Sequence, residues 1–132
     1  MLEENKIVDR AQQVMENLSR KGQMVTTSQI RKFLTAVNTV TEKVNAYKLE
    51  KTDDYDTLPV ELQAQIKYLK VKLAYQIGRN RSKWGNPVED FEKEAGLISL
   101  IDGIKSSTKE YEKFAHYIEA LVAFHKFYGG KD

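Results

Sequence analysis

Apolar residues recur every three or four positions along most of the chain, which is the spacing of one buried face on an α-helix. The pattern predicts five helices that pack into a compact all-α bundle. From the first to the fifth, the predicted helices begin close to Ile7, Thr26, Pro59, Asn86 and Ser107. No internal repeat or linker interrupts the pattern, so we expect residues 1–132 to form a single helical domain.

The predicted helix starts rest on capping residues. Thr26 and Gln29 have the spacing of a capping box, in which each side chain binds the other residue's backbone N–H, and Ser107 with Glu110 repeats that spacing. Asn86 precedes a proline that suits the first helical turn, so it is the expected N-cap of the fourth helix.

Glycines mark the predicted helix ends. The first and last helices are expected to stop at Gly22 and Gly129, and Gly78 is expected to end or bend the third. The fourth helix is predicted to run through Gly96 and Gly103 to residue 104. Each of these two glycines weakens a helix by about 1 kcal/mol relative to alanine, which indicates close packing or a bend. A polar connector over residues 50–57 separates the second and third helices.

Composition narrows the class of protein. The 132 residues include no cysteine and two prolines, and the net charge is +2. Without cysteine there are no disulfides and no thiolate metal sites. The N-terminus is charged and lacks the apolar core of a signal peptide, and no run approaches the ~20 apolar residues of a membrane span. We expect a soluble, cytoplasmic protein with no membrane partner.

Positive charge is concentrated over residues 62–88. This segment holds six of the 21 basic residues and no Asp or Glu, which leaves 15 basic against 19 acidic residues elsewhere. Concentrated positive charge on a nearly neutral chain is the usual mark of a polyanion partner.

The third predicted helix has two distinct faces within this segment. Its buried face consists of Leu62, Ile66, Leu69, Leu73 and Ile77. The side turned away from that face carries a set that we call the cationic ridge: Tyr68, Lys72, Tyr75 and Arg79. Tyrosine rings stack on bases and cations pair with phosphates, so the ridge suits single-stranded nucleic acid. Alternatively, another helix covers the ridge, which would make it an edge of the core.

Further candidate residues flank the ridge. Arg81 and Lys83 follow it in a basic loop with the only tryptophan, Trp84, which either covers the core or offers a platform for stacking. Arg31, in the second helix, lies at the edge of the buried face. Its side chain is either solvated, as most cations at helix edges are, or part of the binding surface.

The sequence contains no P-loop, GxGxxG, HExxH or GxSxG motif and no cysteine nucleophile. His116 and His125 are nine residues apart on one predicted helix, too far to share a metal ion. His125 falls on the apolar face, where a hydrogen-bonded core histidine is expected. We therefore expect no enzyme activity, no cofactor and no metal.

Three segments form a recognisable set in sequence order: residues 26–34 (TTSQIRKFL), residues 73–79 (LAYQIGR) and residues 117–131 (YIEALVAFHKFYGGK). Together they resemble the small subunit of the type III-A CRISPR effector, the Csm complex. Their order and the chain length both match, so the resemblance covers nearly the whole chain. Two positions depart from the family: Ile77 replaces a small residue, and His125 replaces an aromatic one.

The resemblance implies a non-catalytic helical subunit of an RNA-guided antiviral complex. In that family, several copies of the small subunit stack beside a second, repeated subunit that forms the backbone of the complex and carries the guide RNA. The resemblance implies that this chain likewise holds the target RNA strand and the guide duplex, through sequence-independent contacts to the RNA backbone. Cleavage of target RNA belongs to the backbone subunit, and DNA cleavage and cyclic oligoadenylate synthesis belong to the large subunit.

By position, the resemblance favours Arg31, Tyr75 and Arg79 as RNA-binding residues, because they lie in matched segments. Lys72, Arg81 and Lys83 join them by charge and proximity. A function of another class is also compatible with the basic segment: a helical adaptor would use it to bind an acidic protein, with no nucleic-acid role. The two hypotheses differ in whether RNA copurifies with the protein.

Overall fold

The computed structural model describes residues 2–22, 24–51 and 55–130. Six α-helices lie in this part of the chain: α1 (Ile7–Arg20), α2 (Thr27–Glu50), α3 (Val60–Arg79), α4 (Pro87–Ala95), α5 (Leu97–Ile104) and α6 (Thr108–Phe127). A short 3-10 turn, Glu4–Lys6, precedes α1, and the described ranges contain no β-strand. The predicted all-α fold is confirmed.

Helix α6 lies at the centre of the bundle. It packs against α1, α2 and α5, and α2 packs in turn against α3. The side chains that α6 contributes to the core include three fully buried rings, Tyr111, Phe114 and Tyr117. Burial of one large apolar side chain stabilises a fold by about 1.5–3 kcal/mol, so these rings account for much of the attachment between α6 and its neighbours.

The predicted capping residues start the helices as expected, with one difference. Thr26 Oγ1 accepts from the N–H of Gln29 at 3.1 Å, and Gln29 Oε1 accepts from the N–H of Thr26 at 2.8 Å, which completes the capping box. Ser107 accepts from the N–H of Glu110 at 3.1 Å. The Glu110 carboxylate is paired with Lys113 at 3.0 Å, so this second site is a simple N-cap.

The prediction of a continuous fourth helix is wrong, because α4 and α5 are separate helices. Gly96 ends α4 in the left-handed conformation, with a φ of 71°. At this break, the carbonyl of Ala95 accepts hydrogen bonds from the Tyr117 hydroxyl at 2.8 Å and from the Arg10 guanidinium at 3.2 Å. Gly103 lies inside α5 in open space, so Gly96 alone makes the bend that the two glycines indicated.

Other boundaries shift by a residue or two. Helix α1 stops just before Gly22, whose φ is 85°, as predicted. Helix α3 continues through Gly78 and ends one residue later. Glu50, which the sequence assigned to the connector, forms the end of α2. Residues 52–54 of that connector lie outside the described residues.

His125 and two glycines fix the end of α6 against the start of α2. His125 is buried and its Nε2 donates to the carbonyl of Val25 at 2.6 Å, which confirms the predicted core histidine. Gly129 takes a φ of 84°, and the N–H of Gly130 bonds to the carbonyl of His125 at 2.8 Å, which is the pattern of a Schellman motif. Lys131, the last residue of the third matched segment, lies outside the described residues.

Helices α2 and α3 form an antiparallel pair that positions the candidate interface. Gln29 Nε2 donates to Asn80 Oδ1 at 2.8 Å where α2 begins and α3 ends. Farther along the pair, Lys43 Nζ donates to Gln65 Oε1 at 2.9 Å. The buried residues of α3 are those predicted: Leu62, Ile66, Leu69, Leu73 and Ile77. With this face in the core, the opposite side of α3 points outward.

Candidate nucleic-acid interface

The cationic ridge is uncovered. Tyr68 is 57% exposed and Tyr75 is 67% exposed, and Lys72 and Arg79 are exposed as well. Within residues 2–22, 24–51 and 55–130, neither Lys72 nor Arg79 has a carboxylate partner. The alternative in which another helix covers the ridge is therefore wrong for the described chain, and both cations remain available to an outside anion.

A groove of about 340 Å³ runs beside the ridge, between α2 and α3; we call it the α2–α3 groove. It is lined by Lys32, Phe33, Tyr68, Val71, Lys72, Tyr75 and Gln76. The lining contains two lysines and no carboxylate. Lys32 is exposed on α2, and the sequence pattern alone assigns it no role. Lys32 lines the same groove as Lys72 and Tyr75 because α3 packs beside α2.

Arg31 lies in a second groove, at the junction of α2 and the end of α6. The lining residues are Thr27, Ser28, Arg31, Lys32, Thr35, Lys126 and Gly130. Because Lys32 lines both grooves, the surface around Arg31 is continuous with the cationic ridge. Lys126 joins this surface through the contact between Val25 and His125, so no local sequence signal identifies it.

The two cations of the basic loop each lie close to another side chain. Arg81 Nη2 lies 3.8 Å from Glu89 Oε2, so the charge of Arg81 is partly balanced, although an exposed pair of this kind contributes little to stability. Lys83 Nζ lies 5.0 Å from the centroid of the Trp84 ring. Trp84 is 75% exposed, which excludes the interpretation of this residue as a cover for the core.

Asn86 anchors this loop. Its Nδ2 donates to the carbonyl of Ile77 at 2.7 Å, and its Oδ1 accepts from the N–H of Glu89 at 3.1 Å. One buried amide thus joins the end of α3 to the start of α4. The loop that carries Arg81 and Lys83 is consequently held at both ends.

The remaining cations of residues 62–88 lie elsewhere on α3. Lys70 Nζ is 2.5 Å from Asp102 Oδ1 on α5, so its charge is neutralised on the side away from the α2–α3 groove. Lys67 is exposed. Apart from Lys67, the cations of the segment that remain exposed lie on the cationic ridge and in the basic loop.

Two other features bear on the chemistry of the molecule. Within the described residues, no group of three or more His, Cys, Asp or Glu side chains is placed to bind a metal ion. None of the described helices combines the length and the hydropathy that crossing a bilayer requires.

The family model for Csm2 of type III-A systems matches residues 2–131. This chain belongs to the Csm2 family. Similar curated proteins are each named CRISPR system Cms protein Csm2. The Streptococcus thermophilus relative is 33% identical over 124 residues, covering 94% of this chain and 89% of its own length. The Enterococcus italicus relative is 33% identical over 129 residues, covering 93% and 84%. A Mycobacterium tuberculosis relative is 36% identical over 76 residues, covering 58% and 57%.

Membership of the Csm2 family confirms the resemblance and places the chain among the small subunits of type III-A CRISPR complexes. Each segment that resembled the family has a defined place in the structure. Residues 26–34 form the capped start of α2. Residues 73–79 form the end of α3 and include Tyr75 and Arg79 of the cationic ridge. The described part of residues 117–131 forms the second half of α6 and its Schellman motif.

Proposed function

We propose that this member of the Csm2 family is a non-catalytic small subunit that holds the target RNA strand beside the guide RNA, in a cytoplasmic complex for antiviral defence. One observation carries the proposal. The uncovered cationic ridge on α3 is continuous, through Lys32, with the basic groove around Arg31. Arg81 and Lys83 extend this surface at the end of α3.

The chemistry of the surface suits contacts that ignore base sequence. Lysine and arginine pair with phosphate oxygens, which are the same at every nucleotide. An RNA-guided complex must accept any target, because base pairing with the guide supplies the specificity. A surface of cations and tyrosine rings meets that requirement.

The proposal includes protein neighbours: further copies of the chain and the repeated backbone subunit that carries the guide RNA. Exposed large apolar side chains at both ends of the bundle support it. At the end where α2 stops and α3 starts these are Leu49 and Val60, which are 87% and 76% exposed. At the other end they are Trp84 and Phe127, which are 75% and 73% exposed. Apolar groups at both ends suit stacking of copies along a shared RNA strand.

Binding of labelled single-stranded RNAs of unrelated sequence to the isolated protein tests the proposal. We expect weak affinities that differ little between sequences and fall as salt rises. Arg79→Glu should lower affinity and reduce the slope of log K against log salt by at least about 0.7, the contribution of one phosphate contact on a single strand. Lys109→Glu is the matched control, because Lys109 is exposed at the start of α6, far from Arg79.

Circular dichroism should show equal helix content in both variants. Equal affinity of the Arg79→Glu variant and the unaltered protein across the salt series would contradict the proposal. A chain that binds no RNA yet retains its protein partners would instead be an adaptor.

A further inference from the structure

We infer that the α2–α3 groove receives an unpaired base of the bound strand, while Lys32 and Lys72 hold the neighbouring phosphates. The inference rests on the proposed function and names the part of the ligand that enters this groove. It assigns to Phe33 and Val71 a role that charge alone does not suggest.

The groove has an apolar floor and a suitable size. Phe33 is buried at 5% exposure, and Val71 is 51% exposed between the two tyrosines of the ridge. The volume of about 340 Å³ is at the small end of the ~300–1,000 Å³ typical of small-molecule sites. Tyr68 and Tyr75 are two helical turns apart, about 10 Å along the axis, so the apolar surface between them has the dimensions of a small ring system.

The charges that line the α2–α3 groove indicate which kind of planar group it binds. Lys32 stands on the α2 wall and Lys72 on the α3 wall, and no carboxylate lines the groove. A flat ring flanked by anionic groups matches this arrangement, and a base with its adjoining phosphates in a nucleic-acid strand is such a ligand.

A base that enters this groove must present a free face. Within a duplex, the faces of a base are covered by its neighbours and only its edges are accessible in the grooves. Contact with Val71 and with a tyrosine ring requires a free face, so the base must be unpaired and unstacked. Every base has such a face, so this contact remains compatible with any sequence.

Anisotropy titrations of the full chain with three RNAs test the inference. The first is a short oligouridine, the second has abasic ribose at its central positions, and the third is the oligouridine annealed to its complement. At one salt concentration we expect the abasic and duplex RNAs to bind about tenfold more weakly than the oligouridine. Tyr75→Ala and Val71→Ser should lower the affinity for oligouridine to the abasic level and leave the affinity for abasic RNA unchanged.

Tyr55→Ala is the matched control, because Tyr55 is also an exposed tyrosine but lies at the opposite end of α3. Circular dichroism of each variant separates loss of binding from loss of folding. Equal affinities for the three RNAs, with a salt dependence that Arg79→Glu still reduces, would overturn the base site and leave the proposed function standing. Absence of binding to any of the RNAs would contradict both.

Discussion

Two tyrosine hydroxyls of α6 are buried, and each donates a hydrogen bond to the backbone of another helix. Tyr111 Oη donates to the carbonyl of Val37 at 3.0 Å and lies 2.8 Å from Thr41 Oγ1. Tyr117 Oη donates to the carbonyl of Ala95 at 2.8 Å. Burial raises the pKa of both phenols, and that of Tyr111 reaches about 12, because the phenolate loses its hydration in the core.

The raised pKa of Tyr111 predicts a loss of stability at high pH. In the unfolded chain this phenol releases its proton near its ordinary pKa of 10.0, while in the folded chain it stays protonated to about 12. The raised pKa of Tyr111 therefore makes its full contribution to the free energy of unfolding below pH 10. That contribution, about 2–3 kcal/mol, is lost as pH rises through about 12. Urea unfolding over this range measures it, and Tyr117 should add a decline in the same direction.

Tyr111→Phe provides the comparison. At neutral pH the variant should lose about 1 kcal/mol, the usual contribution of a hydrogen bond, and its stability should then fall less steeply above pH 10 than that of the unaltered protein. An equally steep decline in both proteins would show that Tyr111 is not the responsible group.

Helical periodicity predicted the buried face of α3 and placed the cationic ridge on the side turned away from it, because both depend on spacing along one helix. Periodicity left open whether another helix covers the ridge, and the packing of the bundle shows that none of the described helices does. Lys32 and Lys126 depend instead on which helices lie beside theirs, and spacing carries no such information. The tyrosines of the ridge were predicted as stacking groups. The floor of the groove, which needs Phe33 from α2, was not.

The break between α4 and α5 is the main feature at the level of elements. Apolar positions continue at helical spacing across Gly96, from Ala95 to Ile98, so the pattern alone indicates one helix. Two contacts from other helices support the break that Gly96 makes: Arg10 of α1 and Tyr117 of α6 both donate to the carbonyl of Ala95. The left-handed glycine and these tertiary hydrogen bonds together override local periodicity at this position.

Alanine substitutions at two glycines of this region should have opposite effects. Gly96→Ala should lower the free energy of unfolding by about 1–2 kcal/mol, because a φ of 71° is costly for alanine. Its Cβ would also stand 2.9 Å from Arg10 Nη2, which disturbs the bond to Ala95. Gly103→Ala should raise the free energy by about 0.5–1 kcal/mol, because the site is helical and open.

Urea denaturation of the two variants and the unaltered protein measures both changes. Effects of the same sign would contradict the assignment of the bend to Gly96 alone.

For the whole molecule, the arrangement separates two kinds of surface. Exposed cations and tyrosines follow α3 and continue onto the start of α2 through Lys32. The most exposed of the large apolar side chains lie at the two ends of the bundle. The sequence predicted the first surface from its charge. It did not predict the second, because Leu49, Val60, Trp84 and Phe127 are brought to common ends only by the antiparallel packing of the helices.

Photo-crosslinking in the assembled type III-A complex tests the central claim most directly. Target RNAs of unrelated sequence, each with 4-thiouridine at every uridine, would be bound to the complex, irradiated and digested, and the crosslinked peptides identified by mass spectrometry. We predict crosslinks in this subunit to peptides containing Tyr68, Tyr75 or the loop with Trp84, for every target sequence. Crosslinks confined to α4–α6, or none from this subunit in a complex that contains it, would contradict the assignment of RNA binding to the cationic ridge.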